Sequence, residues 1–141
     1  MPLSFSGGGY QFGDGNLNDV ELRVGGVPVA STGAVTLLPN DLSADIFVTN
    51  GTATITLPTA AQFDAAWINA RVGHFVEFSV INISASQLVT MTGNTGVTIV
   101  GVAVVPTTTG AAAGTVSSAW FRLMKTAVSN NAGAYTLYRC A

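Results

Sequence analysis

Short runs of alternating apolar and polar residues, most of them ended by Gly, Asn or Pro, follow one another from Val24 onward. A period of two is typical of a strand with one buried face, and turn signals about every 8–12 residues are typical of a sandwich. Charged residues make up only 9% of the chain, against about 25% in typical domains. We therefore predict an all-β, jelly-roll-like β-sandwich of about eight strands with a charge-poor surface.

The pair Asn50-Gly51 lies between two alternating runs, residues 44–49 and 52–57. Asn-Gly is the preferred pair in a type I′ turn, because both central residues of that turn need positive φ. This pattern predicts a β-hairpin with Asn50-Gly51 at its tip.

A short helix is predicted after the second of these runs. Pro58 ends the run, and Thr59 is placed to cap a helix that continues to about Trp67. Phe63 and Trp67 are four residues apart and would share one helical face. We expect this helix to cover one end of the sandwich.

Further strands are predicted over residues 74–82, 87–92, 97–100 and 102–105. In the first of them Val76, Phe78 and Val80 would share one face. The last two form a valine-rich stretch without charge, which Gly101 interrupts and Pro106 ends. We predict that this stretch is buried on both faces.

The final two strands are predicted to form a hairpin, with residues 128–132 as its loop. In the first of these strands Phe121 and Leu123 alternate with Trp120 and Met124. One row should therefore face the core and the other should face solvent or a partner. Because Trp120 and Met124 exceed what one core needs, we predict that they lie in a homotrimer interface.

Residues 1–23 differ in composition from the rest, which divides the chain into an N-terminal arm (1–23) and a β-sandwich domain (24–141). Glycine and asparagine leave the arm too few apolar residues for a long strand. Its isolated apolar side chains could each fill a pocket on a partner surface. These arm anchors are Phe5, Tyr10, Phe12 and Leu17.

Residues that could support catalysis or bind a metal are few. The chain has one histidine and one cysteine, and we expect His74 to be structural and Cys140 to be a thiol without a catalytic role. Asp41 and Asp45 are expected to cap a turn. We predict that the protein is not an enzyme and needs no cofactor.

Residues 14–21 partly match a calcium-binding loop. Asp14, Asn16 and Asn18 fit the first three ligand positions, but Asp19 replaces the required glycine and Gly25 the bidentate glutamate. A polar loop is favoured over a calcium site, and no metal is predicted.

The sequence argues against membranes and nucleic acids as partners. The longest apolar stretch, residues 97–105, is too short for a spanning helix of about 20 residues. The five Lys and Arg residues are scattered and the net charge is -2, whereas phosphate binding needs clustered cations. The amino terminus lacks the pattern of a secretory signal, so we expect the chain to be made and kept in a cytoplasm.

Four stretches together resemble head decoration, or cement, proteins of tailed bacteriophages, and the resemblance covers about residues 44–140. They are ATITLPTAAQ (53–62), RVGHFVEFSVINIS (71–84), VTMTGNTGVTIVG (89–101) and AGAYTLYR (132–139). The resemblance implies a homotrimer on the outer capsid surface of the virion, at local three-fold positions, that links neighbouring copies of the major capsid protein.

Two alternatives remain open. Related sandwiches also occur as receptor-binding domains of phage fibres and tail appendages. A carbohydrate-binding module is also possible, in which exposed rings stack on sugars, although packing in the core or a trimer is favoured for each ring. The aromatic residues concerned are Trp67, Trp120, Tyr135 and Tyr138.

Overall fold

The computed structural model describes residues 29–51, 54–108, 117–128 and 134–141. These residues contain ten strands, one α-helix and one 3₁₀ helix. In chain order they are β1 (Val29–Ser31), β2 (Val35–Thr36), the 3₁₀ helix (Pro39–Ala44), β3 (Ile46–Thr49), β4 (Thr54–Thr56), α1 (Ala60–Ala66), β5 (Phe75–Asn82), β6 (Val89–Thr92), β7 (Val97–Val100), β8 (Val104–Val105), β9 (Ser118–Ala127) and β10 (Ala134–Arg139).

The described strands form two mixed sheets. The larger sheet has the order β1-β3-β5-β9-β10-β7, and the smaller has the order β2-β4-β6-β8. The all-β, sandwich-like fold predicted from the sequence is confirmed. The jelly-roll topology is not confirmed, because five of the neighbouring pairs are parallel and three are antiparallel, whereas a jelly roll is built from antiparallel Greek keys.

Side chains from both sheets meet in one hydrophobic core. In the larger sheet, Phe78 stacks on Phe121 with ring centroids 5.8 Å apart, and Phe47 meets Phe78 edge-on at 5.4 Å. In the smaller sheet, Ile55 and Met91 join the same cluster. Burial of each such side chain stabilises the fold by about 1.5–3 kcal/mol relative to exposure, so this core holds the sheets together.

The predicted hairpin at Asn50-Gly51 is wrong, because β3 and β4 lie in different sheets. Gly51 does have positive φ, at 79°, but Asn50 does not, so the turn is not type I′. Instead, the Asn50 N–H donates to the Ser31 carbonyl at 3.0 Å. Alternation fixes which face of a strand is buried, but both neighbours of β3 here are parallel strands, β1 and β5. The turn carries the chain from one sheet to the other.

The predicted burial of residues 97–105 on both faces is also wrong. Val100 is 51% exposed and Val102 is 66% exposed, whereas Val97 and Val105 are buried. The physical reason is that, among the strands that the structure describes, β7 and β8 are the outermost of the two sheets. The chain crosses between the sheets around Gly101, whose φ is 97°, so each strand buries only one face.

The predicted helix is confirmed as α1. The Thr59 hydroxyl accepts a hydrogen bond from the Gln62 N–H at 3.2 Å, and the Thr59 N–H donates to Gln62 Oε1 at 2.8 Å. This reciprocal pair is a capping box, which stabilises the first turn. Phe63 is fully buried and stacks on Trp67 at 4.8 Å, so the helix closes one end of the sandwich as expected.

The predicted pairing of the last two strands is confirmed. β9 and β10 are antiparallel neighbours, with Leu123 opposite Leu137. β9 also pairs antiparallel with β5, where Phe121 lies opposite Phe78. Of the predicted loop, only Val128 belongs to the described residues. These three strands form the centre of the larger sheet and carry the candidate site.

Candidate functional site

The two residues predicted for an interface, Trp120 and Met124, lie on β9 and point away from the core. Phe121 and Leu123, which alternate with them, are at most 1% exposed. Trp120 is 39% exposed and Met124 is partly buried. The predicted division of β9 into a core row and an outward row is confirmed.

Neighbouring strands extend this outward row into a surface. On β5, Phe75 lies opposite Met124 and is 48% exposed. On β10, Tyr138 lies opposite Arg122. Ile46 on β3 adds a further exposed apolar side chain beyond Ser79. We call this surface the outer face, and it consists of Ile46, Phe75, Glu77, Trp120, Arg122, Met124 and Tyr138.

The outer face contains one ion pair, between Arg122 and Glu77. Arg122 donates from Nε at 3.0 Å and from Nη2 at 2.6 Å to Glu77 Oε1. The guanidinium also lies 4.3 Å from the centroid of the Phe75 ring and 5.9 Å from that of Trp120, within range of cation–π attraction. The two charges balance one another, and the guanidinium lies over the Phe75 ring.

This composition resembles the buried centre of a protein–protein interface. Such centres are enriched in aromatic residues, Met and Arg, and they are depleted of Lys, Asp and Glu. A cavity of about 220 Å³ opens beside Trp120, between Ile81, Ser118 and Ala141. The outer face therefore offers rings that can insert into a partner and a recess that can receive a side chain.

A second, larger cavity of about 430 Å³ lies at the end of the sandwich that α1 covers. We call it the end pocket, and its walls include Trp67, Ile68, Phe75 and Tyr135. The Tyr135 ring lies 4.9 Å from Phe63 and 6.3 Å from Trp67. The aromatic wall is therefore packed in place before any ligand arrives.

A cluster of polar side chains holds the Tyr135 hydroxyl in place. Asp64 Oδ1 accepts hydrogen bonds from Lys125 Nζ at 2.6 Å and from the Tyr135 hydroxyl at 2.9 Å. Lys125 is only 8% exposed, which is rare for a lysine unless its charge is paired. Burial of the hydroxyl, together with its hydrogen bond to Asp64 and the carboxylate charge, raises the pKa of Tyr135. Tyr135 therefore remains neutral and donates to Asp64 at physiological pH.

The other titratable residues considered in the sequence have local roles. His74 Nδ1 accepts a hydrogen bond from the Arg71 N–H at 3.3 Å. Asp41 Oδ2 accepts from the Leu38 N–H at 2.8 Å at the start of the 3₁₀ helix, where the sequence predicted only a turn. Cys140 is exposed and is not in a disulfide. Within the described part of the chain, no three His, Cys, Asp or Glu side chains come together as metal ligands.

The four rings proposed for sugar stacking do not form one platform. Trp67 and Tyr135 line the end pocket, whereas Trp120 and Tyr138 lie on the outer face. Tyr135 is 2% exposed, so its ring cannot stack on a sugar. The described residues include no helix long and apolar enough to cross a membrane.

Several predicted sites lie outside the described residues. They are the arm anchors Phe5, Tyr10, Phe12 and Leu17, the calcium-like segment of residues 14–21, and the boundary between residues 23 and 24. Sequence analysis did not identify Phe75, Glu77 or the Asp64–Lys125 pair as parts of a site. The alternation of β5 placed Phe75 and Glu77 on its outward row, but only the pairing of β5 with β9 brings them beside Arg122 and Met124.

No protein-family model matches this chain, and neither the curated proteins nor the solved structures compared with it give a match.

Proposed function

We propose that the protein is a structural protein of a bacteriophage virion, a decoration protein that forms a homotrimer and binds the major capsid protein lattice from outside. The observation that carries the proposal is the outer face, where exposed rings surround a charge-balanced Arg122–Glu77 pair. Such a surface suits permanent contact with another uncharged protein surface. The resemblance of residues 44–140 to cement proteins supports the same role.

The proposed role is binding, without catalysis, a cofactor, nucleic acid or a membrane partner. In a homotrimer, each contact joins two different patches, because three-fold symmetry is heterologous. We assign Trp120 and Met124 to the trimer interface and the arm anchors Phe5, Tyr10, Phe12 and Leu17 to the capsid. An arm can cross the joint between two capsid subunits, where a sheet face would contact only one.

The first experiment measures the mass of the protein in solution. Sedimentation equilibrium at micromolar concentration should give three times the 14.4 kDa chain. Trp120→Ser should shift the equilibrium towards monomer, because it removes an aromatic anchor from the centre of the patch. Leu38→Ser is the matched control, since Leu38 is 61% exposed but lies off the outer face. A wild-type mass of one chain would refute the trimer.

The second experiment tests attachment to capsids. The protein should cosediment with phage capsids that lack it, and alanine substitution of Phe5 and Leu17 should weaken cosedimentation while leaving the trimer intact. If the substituted protein decorates capsids as well as the wild type, the arm is not the attachment.

The alternative function is a receptor-binding domain of a fibre or tail appendage. The observation in its favour is the end pocket, whose partly exposed Trp67 lies among loop residues at one end of the sandwich. Glycan-array binding by the isolated protein, lost in Trp67→Ala, would favour this alternative over the decoration role.

A further inference from the structure

The end pocket has the features of a site for an apolar side chain. Its volume of about 430 Å³ falls within the range of about 300–1,000 Å³ that is usual for ligand pockets. Ile68 at the pocket and Val72 in the adjoining loop are 80% and 53% exposed, and Phe75 is 48% exposed. Water contact with so much apolar surface is unfavourable, so an occupant that covers it would gain free energy.

The direction of the chain shows which segment approaches this pocket. β1 is parallel to β3, and β3 is parallel to β5. Val29 lies beside Phe47, which lies beside Val80. The amino-terminal end of β1 therefore faces the same way as the Phe75 end of β5, where the end pocket lies.

The segment between Phe12 and Val29 is long enough to reach the end pocket. From the level of Val80 to that of Phe75 is five residues, or about 17 Å along the strand, and two strand spacings add about 10 Å sideways. Val29 thus starts roughly 20 Å from the pocket. Phe12 precedes Val29 by 17 residues, and a chain of that length can span up to about 56 Å.

The sequence GYQFG, residues 9–13, offers the occupant. Tyr10 and Phe12 are aromatic, and the adjoining glycines place no bulky side chain beside them. An occupant on the same chain is present at an effective concentration of about millimolar, so a weak contact suffices. We propose that the end pocket binds the segment Tyr10–Phe12 of its own chain, with an aromatic side chain against Trp67 and Ile68.

Binding of the arm in the end pocket does not require capsid binding. If the arm binds both the end pocket and the capsid, the two compete for Tyr10 and Phe12 in the middle of the arm. The anchors Phe5 and Leu17 on either side remain available to the capsid.

Disulfide trapping tests the proposal. In a Cys140→Ser background, Gln11→Cys is combined with Ile68→Cys, which leaves both aromatic residues of the arm intact. The control combines Gln11→Cys with Asn50→Cys, because Asn50 is exposed, follows β3 at the opposite end of the sheet and lies only about 11 Å from Val29, nearer than the pocket. Under mild oxidation we expect the 11–68 disulfide to form at least fivefold more than the 11–50 disulfide, within a single chain. Tyr10→Ala with Phe12→Ala should reduce the 11–68 yield to that of the control.

Fluorescence provides a second measurement. In Trp120→Phe, Trp67 is the only tryptophan, and deletion of residues 2–16 should shift its emission to longer wavelength and increase its quenching by acrylamide. Equal disulfide yields at positions 68 and 50, or Trp67 emission that the deletion leaves unchanged, would overturn the proposal. Disulfides that join two chains on a non-reducing gel would also overturn it, since the occupant would then be the arm of a second copy.

Discussion

Lys125 and Asp64 form an ion pair in which only the lysine is buried, so we expect substitution of one partner to destabilise the fold more than substitution of the other. The Lys125 side chain is 10% exposed, whereas that of Asp64 is 29% exposed. Asp64→Ala leaves an ammonium group in the interior without its carboxylate and also removes the acceptor of the Tyr135 hydroxyl. Lys125→Met leaves a carboxylate that water partly reaches and that still accepts from Tyr135. The burial of the charged residue that remains therefore sets how much stability is lost.

We expect Asp64→Ala to lower the free energy of unfolding by about 3–5 kcal/mol, the range for breaking a buried ion pair. Lys125→Met should cost about 1–2 kcal/mol, because the surviving carboxylate is partly solvated. The double substitution should be less destabilised than Asp64→Ala alone, since the stranded ammonium is gone. At about 4 °C per kcal/mol for a chain of this length, Asp64→Ala should lower Tm by about 12–20 °C.

Urea unfolding followed by circular dichroism measures these differences, with protein concentration held constant because association contributes to stability. Tyr135→Phe serves as the control, since it removes the hydroxyl and keeps the ion pair. Equal losses for the two single substitutions, or a greater loss for Lys125→Met, would refute the reasoning that burial of the remaining charge sets the cost.

Three further predictions concern other parts of the molecule. Glu77→Gln leaves the Arg122 charge without its partner on every copy, so it should weaken trimer association about tenfold at low salt. Adding Arg122→Gln should restore the association. Sedimentation measures both effects. Gly51→Val should cost about 1–2 kcal/mol in thermal melts because φ is 79°. Gly33→Val is the control, because Gly33 lacks positive φ and has nothing within 4 Å of an added Cβ, so it should lower stability less. Equal melting temperatures for the two variants would contradict backbone strain at Gly51. Because the pKa of Tyr135 is raised in the folded state, its contribution to stability is full below about pH 10 and is lost as pH rises further. Tyr135→Phe should flatten that fall, and an unchanged slope in alkaline urea titrations would count against it.

Local features of this fold were predictable because the interactions that produce them lie close together in sequence. The Thr59 cap and its partner Gln62 are three residues apart, and the alternation of Phe121 and Leu123 with Trp120 is visible within one strand. These signals gave α1, the outward row of β9 and the β9–β10 hairpin.

Apart from the β9–β10 hairpin, strand neighbours were not predictable from the same signals. Period-two alternation tells which side of β3 is buried, and it is equally compatible with a hairpin partner or with the parallel strands β1 and β5. The exposure of Val100 and Val102 likewise depends on β7 and β8 being outermost. The Arg122–Glu77 contact joins residues 45 positions apart, so the outer face emerges only once the register of β5 against β9 is known.

The position of β7 has a consequence for the order in which the chain folds. β7 lies at the edge of the larger sheet, and its neighbour there is β10. Thr98 on β7 and Thr136 on β10 bring their hydroxyl oxygens within 3.1 Å although 38 residues separate them. The β9–β10 hairpin is local, whereas closing so long a connection to β7 is slow, so we expect the hairpin to form first. We expect β7 to dock late, so that its valines and the free edge of β10 are exposed together in the intermediates, the stage at which this sheet is most open to pairing with the wrong chain.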